Sequence, residues 1–289
     1  MRASIELLRV RHWTKNVFVL APLFFGADLF DSELVIRSLA ACGVFCLVSS
    51  AVYIFNDWRD LDADRHHSKK CSRPLPSGRI CVSRAIFTMI ALLLTSAALT
   101  FLADLPRTFV VLVAAYIVAN LLYSLGVKSI AVLELAFVAS GFVFRLLAGG
   151  AAIGVPLSPW IIVATGTIAS MLAVGKRRGD IARSNDLKCH RKSLQHYNLQ
   201  FLDSLLSVLV ASTLVIYVLF CVSAYATARY TSYVLCTTVP VAIGLLRYLQ
   251  LVMVKNDGDA PTDLVLKDPG IMLSVLIFIG IFGGLIYLQ

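Results

Sequence analysis

The feature that most constrains this chain is the recurrence of apolar stretches long enough to cross a lipid bilayer. A membrane-spanning helix needs roughly 20 mainly apolar residues. Such stretches fall at about 16–31, 35–55, 84–103, 107–124, 131–151, 158–175, 204–226, 231–251 and 271–288. The first is the weakest, because Pro22 and Gly26 interrupt it. Of the 289 residues 58% are hydrophobic and 15% charged, whereas soluble domains sit near 45–50% and about 25%. Disorder is excluded by the same imbalance. The expected fold is all-α: a polytopic membrane protein of about nine transmembrane helices, forming one domain over residues 1–289. Residues 1–15 place Leu7, Leu8, Val10 and Trp13 among Arg9, Arg11 and Lys15, which predicts an interfacial amphipathic helix. No small-residue cleavage site follows, so the segment is expected to stay in the mature chain.

Charge orients the spans. With the N-terminus inside, 21 of the 26 Lys and Arg fall on inner segments, as the positive-inside tendency requires. That predicts a cytoplasmic N-terminus and an outer C-terminus. It also accounts for the net charge of +9 without nucleic acid. Seven cysteines without a C-x-x-C spacing support neither a disulfide framework nor a zinc site. Three inner segments are long and polar: 56–83, 176–203 and 252–270. The first two begin 120 residues and four spans apart, after the second and the sixth span, which suggests two four-helix units plus one helix. Both are read as cytoplasmic loops.

The segment 56–78 reads NDWRDLDADRHHSKKCSRPLPSG. If the preceding span continues as a helix, Asp57, Asp60 and Asp64 share one face and Asp62 projects to the other. Carboxylates so placed repel one another unless a cation sits among them, and oxygen ligands suit Mg²⁺. The bland alternative is a solvated helix end neutralised by Arg59, Arg65, Lys69 and Lys70. In the second long segment, GKRRGD at 175–180 sets Lys176 and Arg177 one turn from Asp180. Such cations can contact phosphate directly, or simply mark the inner side of the membrane. Tyr123 and Lys128 flank another inner boundary, where an interfacial Tyr and a snorkelling Lys need no function. Arg145 lies three turns beyond Glu134, deep enough to be either functional or half of a buried ion pair.

The Asn-Asp start, with Asp at +3 and +7 and then R-P-L-P-S-G, resembles the signature of the UbiA superfamily of intramembrane prenyltransferases. The resemblance implies nine transmembrane helices, with Asp57, Asp60 and Asp64 holding a Mg²⁺-bound diphosphate. Most of that superfamily carries a second aspartate motif in the second half. Here K-R-x-x-D stands in its place, which is similar to the decaprenyl-phosphate phosphoribosyltransferase branch. LLRVRHWTKN, LLYSLGVKSIAVLELAFVASGFVFRLLAGG and GDAPTDLVLKDPG resemble that branch too. Glu134 and Asp180 depart from its usual Asp and Glu, keeping the carboxylate.

That branch implies transfer of 5-phosphoribosyl from phosphoribosyl pyrophosphate to a polyprenyl phosphate, with Mg²⁺ as cofactor and diphosphate released. Asp57, Asp60, Asp64, Lys176, Arg177 and Asp180 would then be catalytic. Lys15, Asn16, Asn56, Arg73, Tyr123, Lys128 and Glu134 would bind substrate. The implied setting is a bacterial cytoplasmic membrane, with the active site on the cytoplasmic side and a homo-oligomer possible. The runner-up is a prenyltransferase moving a polyprenyl group from its diphosphate to an aromatic or quinone-type acceptor. A lipid carrier is a third reading, which clustered carboxylates make awkward.

Overall fold

A computed structural model of the chain describes residues 2–26, 28–66, 70–183, 192–255, 264 and 267–288. Parts of all three long polar segments, at 67–69, 184–191 and much of 256–266, lie outside the described residues. Among the described residues every regular element is helical. The α-helices are α1 (Arg2–Leu8), α2 (Ala21–Phe25), α3 (Ser32–Arg59), α4 (Leu61–Arg65), α5 (Val82–Leu102), α6 (Arg107–Leu125), α7 (Leu133–Ile153), α8 (Pro159–Ala182), α9 (Leu199–Val222), α10 (Ala224–Tyr230), α11 (Thr238–Met253) and α12 (Pro269–Tyr287). Their starts are written locally. Asp31 accepts from the backbone of Glu33 and Leu34, Ser158 from Trp160, Asn198 from Phe201 and Asp268 from Ile271. Each side chain satisfies a backbone donor that has no partner within its helix.

Eight helical segments among the described residues are long and apolar enough to cross a membrane. The stretch expected at 16–31 is not one of them. It is a 3₁₀ segment, Val10–Val19, followed by the five-residue α2 with Pro22 inside it. The segment nevertheless runs antiparallel along α3. Leu8 and Trp13 bond Ser50, Asn16 bonds Ser49, the Cys42 thiol reaches the Asn16 carbonyl, and Asp31 caps the start of α3. Nor is the N-terminal stretch simply interfacial. Leu7 is buried in a small core with Ile54, Leu75, Ile80 and Ala85.

The chain divides into two compact units, one of residues 1–127 and 144–157, the other of 128–143 and 158–289. In the first, Val44, Phe45, Val48 and Val52 of α3 pack with Phe109 and Tyr116 of α6 and Ala148 and Ala152 of α7. In the second, Leu202 and Leu206 of α9 pack with Val174 of α8 and Tyr248 and Val252 of α11. Two expected loops begin as helix. α3 runs on through Asn56 and Asp57, and α8 carries Lys176–Asp180 to end only at Ala182. Charge marks the membrane boundary, and nothing in KRRGDIA stops a helix there.

Candidate functional site

In the first unit the sequence builds a buried carboxylate pair. Asp57 closes α3 and Asp64 lies on α4, and they are only 3% and 2% exposed. Asp60 separates the two helices as a half-buried junction. One guanidinium nitrogen, Nη1 of Arg73, reaches Asp57 Oδ1 at 3.0 Å and Asp64 Oδ2 at 2.7 Å. Arg9 pairs with the same Oδ1 of Asp57, its guanidinium 4.9 Å above the Tyr53 ring. Lys70 Nζ stands 3.4 Å from Asp64. Asp62, by contrast, is exposed and pairs with Arg65 at 3.1 Å.

The R-P-L-P-S-G segment is shaped to present Arg73. Leu75 and Ile80 anchor it in the core beside Leu7 and Ile54. The Ser77 hydroxyl donates to the Arg73 carbonyl at 2.6 Å, and Gly78 takes φ +72°, where a side chain would be strained. Arg79 ties this turn to α1 through Glu6 at 2.7 Å.

Among the described residues no three His, Cys, Asp or Glu side chains converge as a metal cluster. Of the three aspartates expected from sequence as ligands, Asp57 and Asp64 share the Arg73 guanidinium and Asp60 stands at the helix junction. The pair still fits a hard cation. Both are buried oxygen donors, and the Arg73 guanidinium already occupies the cationic position they share.

The second unit carries the other cluster. Glu134, at the start of α7, is fully buried. Its Oε1 lies 3.0 Å from Nε of Arg177, whose Nη1 bonds Asp180 Oδ2 at 2.9 Å. Sequence places Lys176 and Arg177 as equals, but Arg177 is 6% exposed and Lys176 is exposed. Two carboxylates therefore flank the arginine, and Lys176 is the more exposed of the two cations. Close by, Val132 holds φ +65° and its N–H donates to the Tyr197 hydroxyl at 2.6 Å. A β-branched residue is strained in that region.

Other sequence candidates are placed less directly. Asn16, expected at substrate, has no exposure and bonds Arg145 at 2.8 Å through its carbonyl oxygen. It is part of the first unit's core. Arg145 also donates to the Tyr116 hydroxyl at 2.9 Å. Glu134, likewise expected at substrate, lies against Arg177. Asn56 accepts from Ser124. Lys15, Tyr123 and Lys128 are half-buried on their segments.

Two residues were not legible as site components. Arg9 reads in sequence as one more interfacial cation, and its partner is 48 positions away. Arg178 pairs with Asp203 and donates to the carbonyls of Val252 at 2.7 Å and Met253 at 3.1 Å. It thereby satisfies end carbonyls of α11 that lack helical partners. Only its place in the K-R-R run could have drawn notice.

Membrane-length helices define a polytopic membrane protein, and its described residues carry a buried carboxylate pair sharing one cation and a Lys-Arg-carboxylate cluster. Residues 17–267 match the UbiA prenyltransferase family, and the chain belongs to that family. It is 35% identical to the decaprenyl-phosphate phosphoribosyltransferase of Corynebacterium glutamicum, covering 95% of this chain and 84% of that one. Its identity to the Mycolicibacterium smegmatis protein of the same name is 33%, covering 98% and 92%. In fold it is similar to a UbiA homologue from Archaeoglobus fulgidus bound to DMAPP and Mg²⁺, with TM-score 0.71, 20% identity and 99% of each chain covered.

Proposed function

We propose that this protein is a Mg²⁺-dependent transferase that moves 5-phosphoribosyl from phosphoribosyl pyrophosphate to a polyprenyl phosphate, releasing diphosphate. The observation that carries the reading is the unlikeness of the two charged clusters. One offers buried carboxylates, Asp57 and Asp64. The other offers an exposed lysine beside a clamped arginine instead of a second aspartate motif. Relatives of that name, alike over nearly the whole chain, support it.

In this reading Asp57 and Asp64, with Asp60 at the junction, would hold Mg²⁺ and through it the donor diphosphate. Bound there, the metal would offset the charge that builds as diphosphate leaves. Arg73 and Arg9 contact phosphate oxygens of the same group. Lys176 binds phosphate as a point charge, and Arg177, held by Glu134 and Asp180, positions it. An oxygen of the lipid phosphate attacks C1 of the ribose. The bond from C1 to the diphosphate oxygen breaks, and its electron pair leaves with the diphosphate. The attacking phosphate is already ionised near neutral pH, so no general base is needed. Positioning and electrostatic stabilisation supply the catalysis.

The reading extends to topology. Residues 1–289 form one domain of a bacterial cytoplasmic membrane. The stretch along α3 makes a ninth crossing, so the N-terminus and the site are cytoplasmic and the C-terminus is outside. Membranes given Mg²⁺, polyprenyl phosphate and labelled phosphoribosyl pyrophosphate test the chemistry. A labelled lipid is the expected result. A prenylated aromatic formed from prenyl diphosphate, with no labelled lipid, would select the prenyltransferase reading.

A further inference from the structure

Charge balance in the carboxylate cluster leads beyond the transfer reaction. Asp57 and Asp64 bring two negative charges into a place almost sealed from solvent. Three cations already lie against them: Arg9 on Asp57, Arg73 on both, and Lys70 on Asp64. Burying unpaired carboxylates is strongly unfavourable, and these cations are the partners that offset that cost. A divalent ion entering alone would meet a cluster that is already neutralised. It would also sit within a few ångströms of two guanidinium groups, where like charges repel strongly.

Both arginines are held so that they can change partner. Arg73 projects from a turn anchored by Leu75 and Ile80 rather than from a helix, and its side chain keeps 33% exposure. Arg9 sits alone at the break between α1 and the Val10–Val19 segment, at φ 51°. A non-glycine residue there is uncommon.

We propose that Arg9 and Arg73 are displaceable counter-ions that make metal binding conditional on the anion. In the empty site they neutralise Asp57 and Asp64. A divalent cation accompanied by diphosphate takes over the carboxylates, and the guanidinium groups move onto phosphate oxygens as fork-like donors. The site thus rejects free metal and accepts the metal–diphosphate complex. This rests on the reading of Asp57 and Asp64 as the diphosphate site.

The test is Mn²⁺ binding to full-length protein in nanodiscs, followed by electron paramagnetic resonance, with and without inorganic diphosphate. Wild-type protein should bind Mn²⁺ at least about tenfold more tightly with diphosphate than alone. Arg73→Gln and Arg9→Gln should shrink that difference. Each should bind Mn²⁺ alone at least about tenfold more tightly than wild type and lose most of the gain from diphosphate, as expected for a lost charge-assisted bond. A second readout guards against misfolding: Mn²⁺ alone should raise the melting temperature of Arg73→Gln and leave wild type unchanged. Equal affinity for Mn²⁺ alone in all three proteins, with wild-type diphosphate coupling intact, would overturn the counter-ion proposal. No Mn²⁺–diphosphate binding in wild type, or binding indifferent to Asp57→Asn, would instead overturn the diphosphate-site reading.

Discussion

At the scale of single residues, burial separates roles that spacing alone cannot. Asp57, Asp62 and Asp64 are equivalent letters in a string, yet two are sealed and one is in water. Loss of a ligand to the metal–diphosphate should abolish turnover in Asp57→Ala and Asp64→Ala, while Asp62→Ala keeps most of it. Comparable loss at Asp62, measured as kcat/KM, would contradict this. The helical offset in the sequence sets Asp57 and Asp64 apart from Asp62 as an expectation. It could not show that Arg177 is clamped, because Glu134 lies far away in the chain and only tertiary packing brings them together. Glu134 has no exposure and Asp180 keeps 22%. Removing the former leaves a buried guanidinium short of its sealed partner, a situation that costs about 3–5 kcal/mol when a buried pair is broken. Glu134→Ala should therefore lower the melting temperature well beyond Asp180→Ala. Lys176→Gln should leave stability unchanged and raise KM for the phosphate substrate by roughly tenfold or more. Equal melting temperatures for the two carboxylate variants would return Glu134 to a substrate-facing role.

At the scale of elements, close helix approach is set by small residues whose function no local pattern reveals. A methyl group on Gly175 of α8 would overlap the Tyr248 hydroxyl of α11. That hydroxyl is buried with no hydrogen-bond partner among the described residues, so removing it sacrifices little. Gly175→Ala should destabilise by about 1–3 kcal/mol through overpacking. Adding Tyr248→Phe should recover much of that loss, in a melting experiment on the double variant. Gly166→Ala is the control, since its nearest new neighbour is 3.7 Å away. No rescue would place the strain elsewhere on α8. Another element junction is electrostatic. Asp268 caps α12 and accepts two bonds from Arg247, at 2.9 and 3.2 Å. The Arg247 guanidinium and the cap N–H groups hold its carboxyl below the usual carboxylate value. A lowered folded pKa stabilises above the ordinary value and is lost as pH falls through the folded one. The melting advantage of wild type over Asp268→Asn should thus be constant from neutral pH to about 5 and shrink below roughly pH 4. A difference that grows on acidification has the wrong sign.

At the scale of the whole molecule, the helical class and the positions of the long spans were legible because hydropathy at this length has few other solutions. The N-terminal stretch was not, since it folds as a 3₁₀ segment and the short α2 while its packing against α3 preserves its path. A phosphatase reporter fused after Gln289 decides what that path means. Activity outside the cell accords with nine crossings, and a silent reporter with a fluorescent protein bright at the same position would leave eight. The central claim concerns chemistry, and it is tested most directly by purified protein in nanodiscs supplied with Mg²⁺, phosphoribosyl pyrophosphate and polyprenyl phosphate. Mass spectrometry of the lipid, with diphosphate measured in parallel, should show one phosphoribosyl group gained per diphosphate released, and neither product with Asp57→Asn. Diphosphate without modified lipid, or lipid modified equally by the Asp57→Asn protein, would contradict the account.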